Sequence, residues 1–356
     1  MKQADESGGD LAFFFCGGGW RCSVPIDALD RKLLQARESP SAMYAVAINV
    51  APIFLLILIG WATVKVKLFK AEASDVLSDF VFKIAVPTLI FRTLASADFH
   101  GASPFKLWVT YFVGVAITWA AGQLVTRHVF KQDLRVSVIA GISSAFANNI
   151  FIGLPLVGRS IGSDGIVAIS ILLVVHLPIM MIAGTILMEN ATHKVLGGEK
   201  RSAFAVLKQV GRNLAQNPLV IALVLGLSFN MTGFAMPEVM TTVIDQIASM
   251  AGPAALISLG MALTKYPIRG NLRIAVTMTA FKLILMPACV WLMAHALGLS
   301  PAWTAALVLT SCVPTGINSW LLANRFGIGH SIAASTISIS TLFGVLTVSF
   351  WAWLLS

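Results

Sequence analysis

The chain has 356 residues, of which 57 % are hydrophobic and only 12 % charged, and its mean hydropathy is +0.83. A soluble domain carries about 25 % charged residues, so this chain lacks the polar surface to coat a water-soluble globule; disorder, a secreted disulfide scaffold and an ordinary cytosolic enzyme are excluded together. The net charge of +9 does not mark a nucleic-acid binder, because Lys and Arg sit in short gaps between apolar runs, where membrane proteins keep their orientation signals.

A membrane span takes about 20 apolar residues. After an N-terminal tail (1–43), ten apolar runs follow: 44–64, 76–97, 105–126, 136–158, 163–188, 215–233, 239–264, 271–297, 302–324 and 329–355. They are continuous rather than alternating, which excludes a membrane β-barrel. The predicted class is an all-α polytopic membrane protein. Residues 1–42 hold five basic and six acidic side chains and no long apolar stretch. They read as a disordered tail or a mis-assigned start, with Met43 just before the first span. Cys16 and Cys22 lie in this tail, and Cys289 and Cys312 lie in apolar runs. None has a Cys-x-x-Cys spacing or a His neighbour, so no metal or other cofactor is expected.

The odd-numbered gaps hold 15 Lys and Arg residues; the even-numbered gaps hold Lys106 and Arg159, with Arg92 at the edge of one. Positive residues mark the cytoplasmic side, so both termini are expected outside. The long polar gap 189–214 reads as a cytoplasmic link between two halves, 44–188 and 215–356. The halves repeat at an offset of 166: Pro52 maps to Pro218, Gly60 to Gly226 and Pro87 to Pro253. Five spans per copy put the second copy into the membrane upside down, the inverted-repeat build of many secondary transporters.

Such transporters bind substrate near the midplane, where helices are broken. The fourth run carries Asn148-Asn149-Ile150-Phe151-Ile152-Gly153-Leu154-Pro155, and the ninth carries Pro314-Thr315-Gly316-Ile317-Asn318, at equivalent places. Each proline removes a helical hydrogen bond, and amides in an apolar helix are costly unless paired. Asn148, Asn149, Pro155, Pro314, Thr315 and Asn318 are therefore candidate binding residues; a pair of kinks with Asn joining helices is the plainer alternative. Charged residues inside spans are further candidates. Lys83 and Arg92 in the second span could add positive charge to an anion site. Lys83 could equally pair with Asp79 at i,i+4, and Arg92 and Lys282 could snorkel to the interface. His176 reads more simply as a packing residue. Neither break contains Asp or Glu, so an anionic substrate suits the site better than a cation.

The two break strings, with Ala323-Asn324-Arg325-Phe326-Gly327, Ala51-Pro52-Ile53-Phe54-Leu55-Leu56 and Lys282-Leu283-Ile284-Leu285-Met286-Pro287, resemble stretches of the auxin efflux carrier family, bacterial organic-anion type. The resemblance covers 44–355. Asn149 stands where that family often has Thr, and Ile150 where it often has Gly. The resemblance implies ten helices in two inverted five-helix repeats, with the fourth and ninth crossing at their breaks. It also implies a scaffold domain and a moving transport domain, and substrates such as malonate, malate or indole acetate. Asn148, Pro155, Pro314 and Asn318 match its crossover motifs.

The expected function is a secondary carrier of small organic anions in the cytoplasmic (inner) membrane. An anion-selective channel, or a structural or sensory membrane protein, is the alternative. No phosphate-binding loop of a primary pump and no hydrolase or zinc-protease motif occurs, so an enzyme is not expected. The expected partners are the anion, the lipid bilayer and a second copy of the chain as a homodimer, with no nucleic acid.

Overall fold

The computed structural model describes residues 40–97, 103–197, 212 and 215–355. The tail up to residue 39, with Cys16 and Cys22, and most of the predicted 189–214 link, with Lys200, Arg201 and Lys208, lie outside the described residues. Among the described residues the chain is helical, with no strand.

Helix α1 spans Pro40–Lys65. α2 (Ala73–Phe80) passes through a π turn, Val81–Ala85, into α3 (Val86–Ala95). α4 (Pro104–His128) and α5 (Leu134–Ala145) follow, and beyond a break a second π turn, Asn149–Gly153, leads into α6 (Leu154–Ser160). α7 (Ser163–Leu196) is continuous and runs past the predicted end of its apolar run, until Gly197 at φ 74° stops it. α8 (Pro218–Thr232) and α9 (Glu238–Leu263) precede α10 (Leu272–Ala280), whose π turn, Phe281–Leu285, continues into α11 (Met286–Ala296). α12 (Pro301–Cys312) and α13 (Asn318–Phe326) flank the other break, and α14 (His330–Leu355) ends the chain. Among the described residues, five helical segments are long and apolar enough to cross a membrane: Pro104–His128, Ser163–Leu196, Glu238–Leu263, Leu272–Ala296 and His330–Leu355. The chain is thus an all-helical, polytopic membrane protein.

Local chemistry explains the ends and kinks. Asp133, Asn217, Asn271 and Ser300 cap α5, α8, α10 and α12 by accepting backbone N–H bonds. Burial works against the charge on Asp133, but hydrogen bonds from Arg135 hold its carboxyl below the usual range, and a charged cap suits a helix N-terminus. Pro104, Pro218 and Pro301 stand in the first turn of their helices, where the missing N–H costs nothing. Each π turn ends two residues before a proline: Pro87, Pro155 and Pro287. A proline ring clashes with the carbonyl four residues back, and widening the helix by one residue opens room for it.

α1 lies on α9, and α8 lies on α3; α4 packs on α5 and α11, α12 on α11 and α7, and α14 on α10. The α1–α9 contact is unusually close. A Cβ on Gly60 would strike the Ile257 carbonyl oxygen, and one on Gly260 would strike the Ile57 carbonyl oxygen. The two helices therefore touch backbone to backbone, as small residues allow in membrane interiors.

Candidate functional site

The two breaks meet. Where α5 ends, Phe146 and Asn148 leave helical geometry (φ −83°, ψ 101° and φ −80°, ψ 65°), and where α12 ends, Val313 is extended (φ −67°, ψ 154°). The freed strands pair antiparallel at Ala147 and Thr315. Asn148 N–H donates to the Pro314 carbonyl at 3.0 Å, and Gly316 N–H donates to the Phe146 carbonyl at 2.8 Å. The fully buried Thr315 locks the crossing from its side chain, its Oγ1 donating to the Ser143 carbonyl at 2.8 Å. Backbone groups that lipid could not satisfy are thus paired inside the protein.

Beside the crossing lies a cavity of about 480 Å³, lined by Asn148, Asn149, Gly316, Asn318, His176 and Phe146 on its inner side. Asn148, Asn149 and His176 are at most 5 % exposed. Asn149 Nδ2 donates to the Tyr111 hydroxyl at 3.1 Å. Asn148 Nδ2 and Asn149 Oδ1 have no hydrogen-bond partner, and His176 has only the Ala147 backbone within reach. Buried polar atoms are nearly always paired, so two amide orphans on one cavity are a departure that needs a cause. Aromatic rings hold His176 in place: Phe146 and Tyr111 meet it edge-on at 5.1 and 5.5 Å, and Phe112 stacks at 6.4 Å. The open end of the cavity carries Asp75, Asp79, Lys265 and Tyr266. Asp75 pairs with Lys265 at 2.7 Å and Asp79 with Lys83 at 2.6 Å, so both carboxylates are neutralised. Burial and then the Asp75 carboxylate push the Tyr266 hydroxyl up to about 12, which keeps it protonated and able to donate.

Residues 45–352 match the profile of a family described as membrane transport protein. That match takes in both breaks and all the elements that bear on the cavity. The chain belongs to the auxin efflux carrier family. It is similar, at 26 % identity over 318 residues, to a Rhizobium meliloti (strain 1021) protein provisionally named a malonate transporter, covering 84 % of this chain and 92 % of that one. An uncharacterized transporter of Methanocaldococcus jannaschii is 22 % identical over 310 residues, covering 85 % of this chain and 96 % of its own. Another, from Methanothermobacter thermautotrophicus, is 23 % identical over 319 residues, with 85 % and 96 % covered. As a member of the auxin efflux carrier family the chain is a membrane transporter and not an enzyme.

The residues singled out in the sequence do not all gather. Asn148, Asn149 and Asn318 line the cavity. Pro314 and Thr315 form the crossing behind it, and Pro155 sits beyond the π turn in α6. Lys83 does not line the cavity; it reaches only Asp79 at the open end, its side chain 60 % exposed in that i,i+4 pair. Arg92 is at the far end of α3, paired with Asp245 at 2.5 Å, and lines a separate cavity of about 1160 Å³ with Lys106 and Asp164. Two residues weighed but not chosen lie at the centre instead. His176 faces the cavity, and Lys282, far from snorkelling, is fully buried with its amine donating to the Ser311 carbonyl. The signal for both was an ionisable side chain deep inside an apolar run.

Proposed function

We propose that the chain is a secondary carrier of small organic anions, malonate-like dicarboxylates among them, working by alternating access at the crossing. The observation that carries the reading is the pair of unpaired amide atoms, Asn148 Nδ2 and Asn149 Oδ1, buried beside His176 on one cavity where two broken helices cross. A ligand would supply the missing partners. The cavity, at about 480 Å³, lies within the roughly 300–1,000 Å³ of small-molecule sites. The chemistry favours an anion. α13 begins at Asn318 and turns its N-terminus, the positive end of its dipole, toward the cavity. Amide and imidazole N–H groups can donate to a carboxylate, while the cavity's own carboxylates are held by lysines. The name of the Rhizobium meliloti relative agrees with a dicarboxylate.

In this reading the chain is two inverted five-helix repeats, 44–188 and 215–356, joined by the link 189–214. It sits in the cytoplasmic membrane as ten spans with both termini outside. α1, α2, α3, α8 and α9 form the scaffold, and the helices around the crossing move against it. The Asp75–Lys265 end of the cavity belongs to the cytoplasmic side, because Lys265 falls in a basic gap.

The test is malonate affinity of purified, monodisperse protein. Losing a desolvated hydrogen bond to a charged group costs about 1.5–3 kcal/mol, so Asn148→Ala and Asn318→Ala should each weaken binding by about 10- to 150-fold. Unchanged affinity in both variants would remove the crossing from the site.

A further inference from the structure

Among the described residues no Asp, Glu or Arg is buried, yet Lys282 is 0 % exposed. Its amine donates to the carbonyl of Ser311, one residue before the end of α12. In an unbroken helix that carbonyl would take the N–H of Thr315, but Thr315 N–H donates to Ser340 Oγ at 3.0 Å. The preceding carbonyl, of Thr310, would look to position 314, a proline with no N–H. The following one, of Cys312, would look to Gly316, whose N–H goes to Phe146 at 2.8 Å. The break thus strips three consecutive carbonyls of their helical donors, at the negative end of a half-helix. In transporters with broken helices, freed carbonyls and half-helix C-termini of this kind coordinate the coupling sodium ion.

We propose that Lys282 stands in that place as a tethered substitute for sodium, so that the broken end of α12 is held without a sodium ion. The side chain arrives from the neighbouring helix through the π turn Phe281–Leu285, which places the residue against α12 rather than in lipid. A free ion would compete with a donor that never leaves.

The experiment is thermal unfolding of the purified full chain in sodium chloride against equal choline chloride. It needs no substrate, so it is independent of the anion-carrier reading. The wild type should unfold at the same temperature in both salts. Lys282→Ala, with the amine gone and its space vacated, should be stabilised selectively by sodium, by about 2 °C or more at saturating ion. Lys282→Ser serves as the second variant and should behave alike. Selective stabilisation of the wild type by sodium would overturn the proposal. So would folded variants that respond to sodium no more than the wild type. If neither variant folds, the wild-type comparison decides alone.

Discussion

The π turns before Pro87 and Pro287 each carry a lysine, Lys83 in one and Lys282 in the other. Locally the two are alike: a widened turn, a proline just beyond, and an amine on an otherwise apolar stretch. Their surroundings differ completely. Lys83 is in the open with a carboxylate one helical turn away, while Lys282 is sealed against α12 with only a backbone carbonyl to serve. The π turn Phe281–Leu285 is also tied down elsewhere. Pro287 leaves the Leu283 carbonyl without a helical donor, and Trp351 of α14 supplies one through Nε1 at 3.0 Å. The same device therefore makes a surface ion pair in one place and a buried junction of three helices in the other. What decides between them is the neighbour, not the turn.

Three substitutions would break or sharpen that contrast. The largest effect is expected from Lys282→Met, which keeps the volume but strands the buried Ser311 carbonyl, at a cost of about 1–3 kcal/mol; reversible unfolding in detergent measures it. A loss no greater than that of the Lys83 variant would mean the buried bond contributes nothing. Trp351→Phe comes next. It preserves the aromatic packing and removes one hydrogen bond, for about 0.5–1.5 kcal/mol, and amide exchange of α14 should quicken with it. The smallest effect belongs to Lys83→Met. An exposed i,i+4 pair is worth about 0.3–0.5 kcal/mol and should vanish in high salt, so wild type and variant should unfold together at 1 M ionic strength, about one 3 Å screening length.

Much of the helix pattern was legible before any coordinates. The runs 105–126, 239–264 and 329–355 differ from α4, α9 and α14 by two residues or fewer at each end, because apolar length is a property of the sequence itself. The breaks were legible too, since Pro314 and the adjacent amides near Pro155 cannot sit comfortably in a helix. The i,i+4 pairing of Lys83 with Asp79 could be read from spacing alone, and the geometry agrees. Partners distant in sequence could not be read this way. Asp245 lies on α9, far along the chain from Arg92, and Lys265 meets Asp75 across the cavity mouth. Which intramembrane ionisable side chain is buried depends on which face its helix turns to a neighbour. Lys282 and His176 took their places through packing against α12 and the aromatic rings of α4, and a single sequence does not state that packing.

The close seam at Gly60 and Gly260 has a mechanical meaning. Where two helices are padded by side chains, rotamers can exchange and the rods can roll or slip past one another. At this seam there is no padding: each carbonyl rests on the other helix's bare Cα. A roll of either rod drives main chain into main chain, and a one-residue slip would bring Ile59 or Trp61 to the place that only hydrogen fits. α1 and α9 therefore behave as a welded beam. Any rearrangement that swaps which face of the membrane the crossing sees has to be taken up at the side-chain-lined contacts around it, with this joint as the part that stays still.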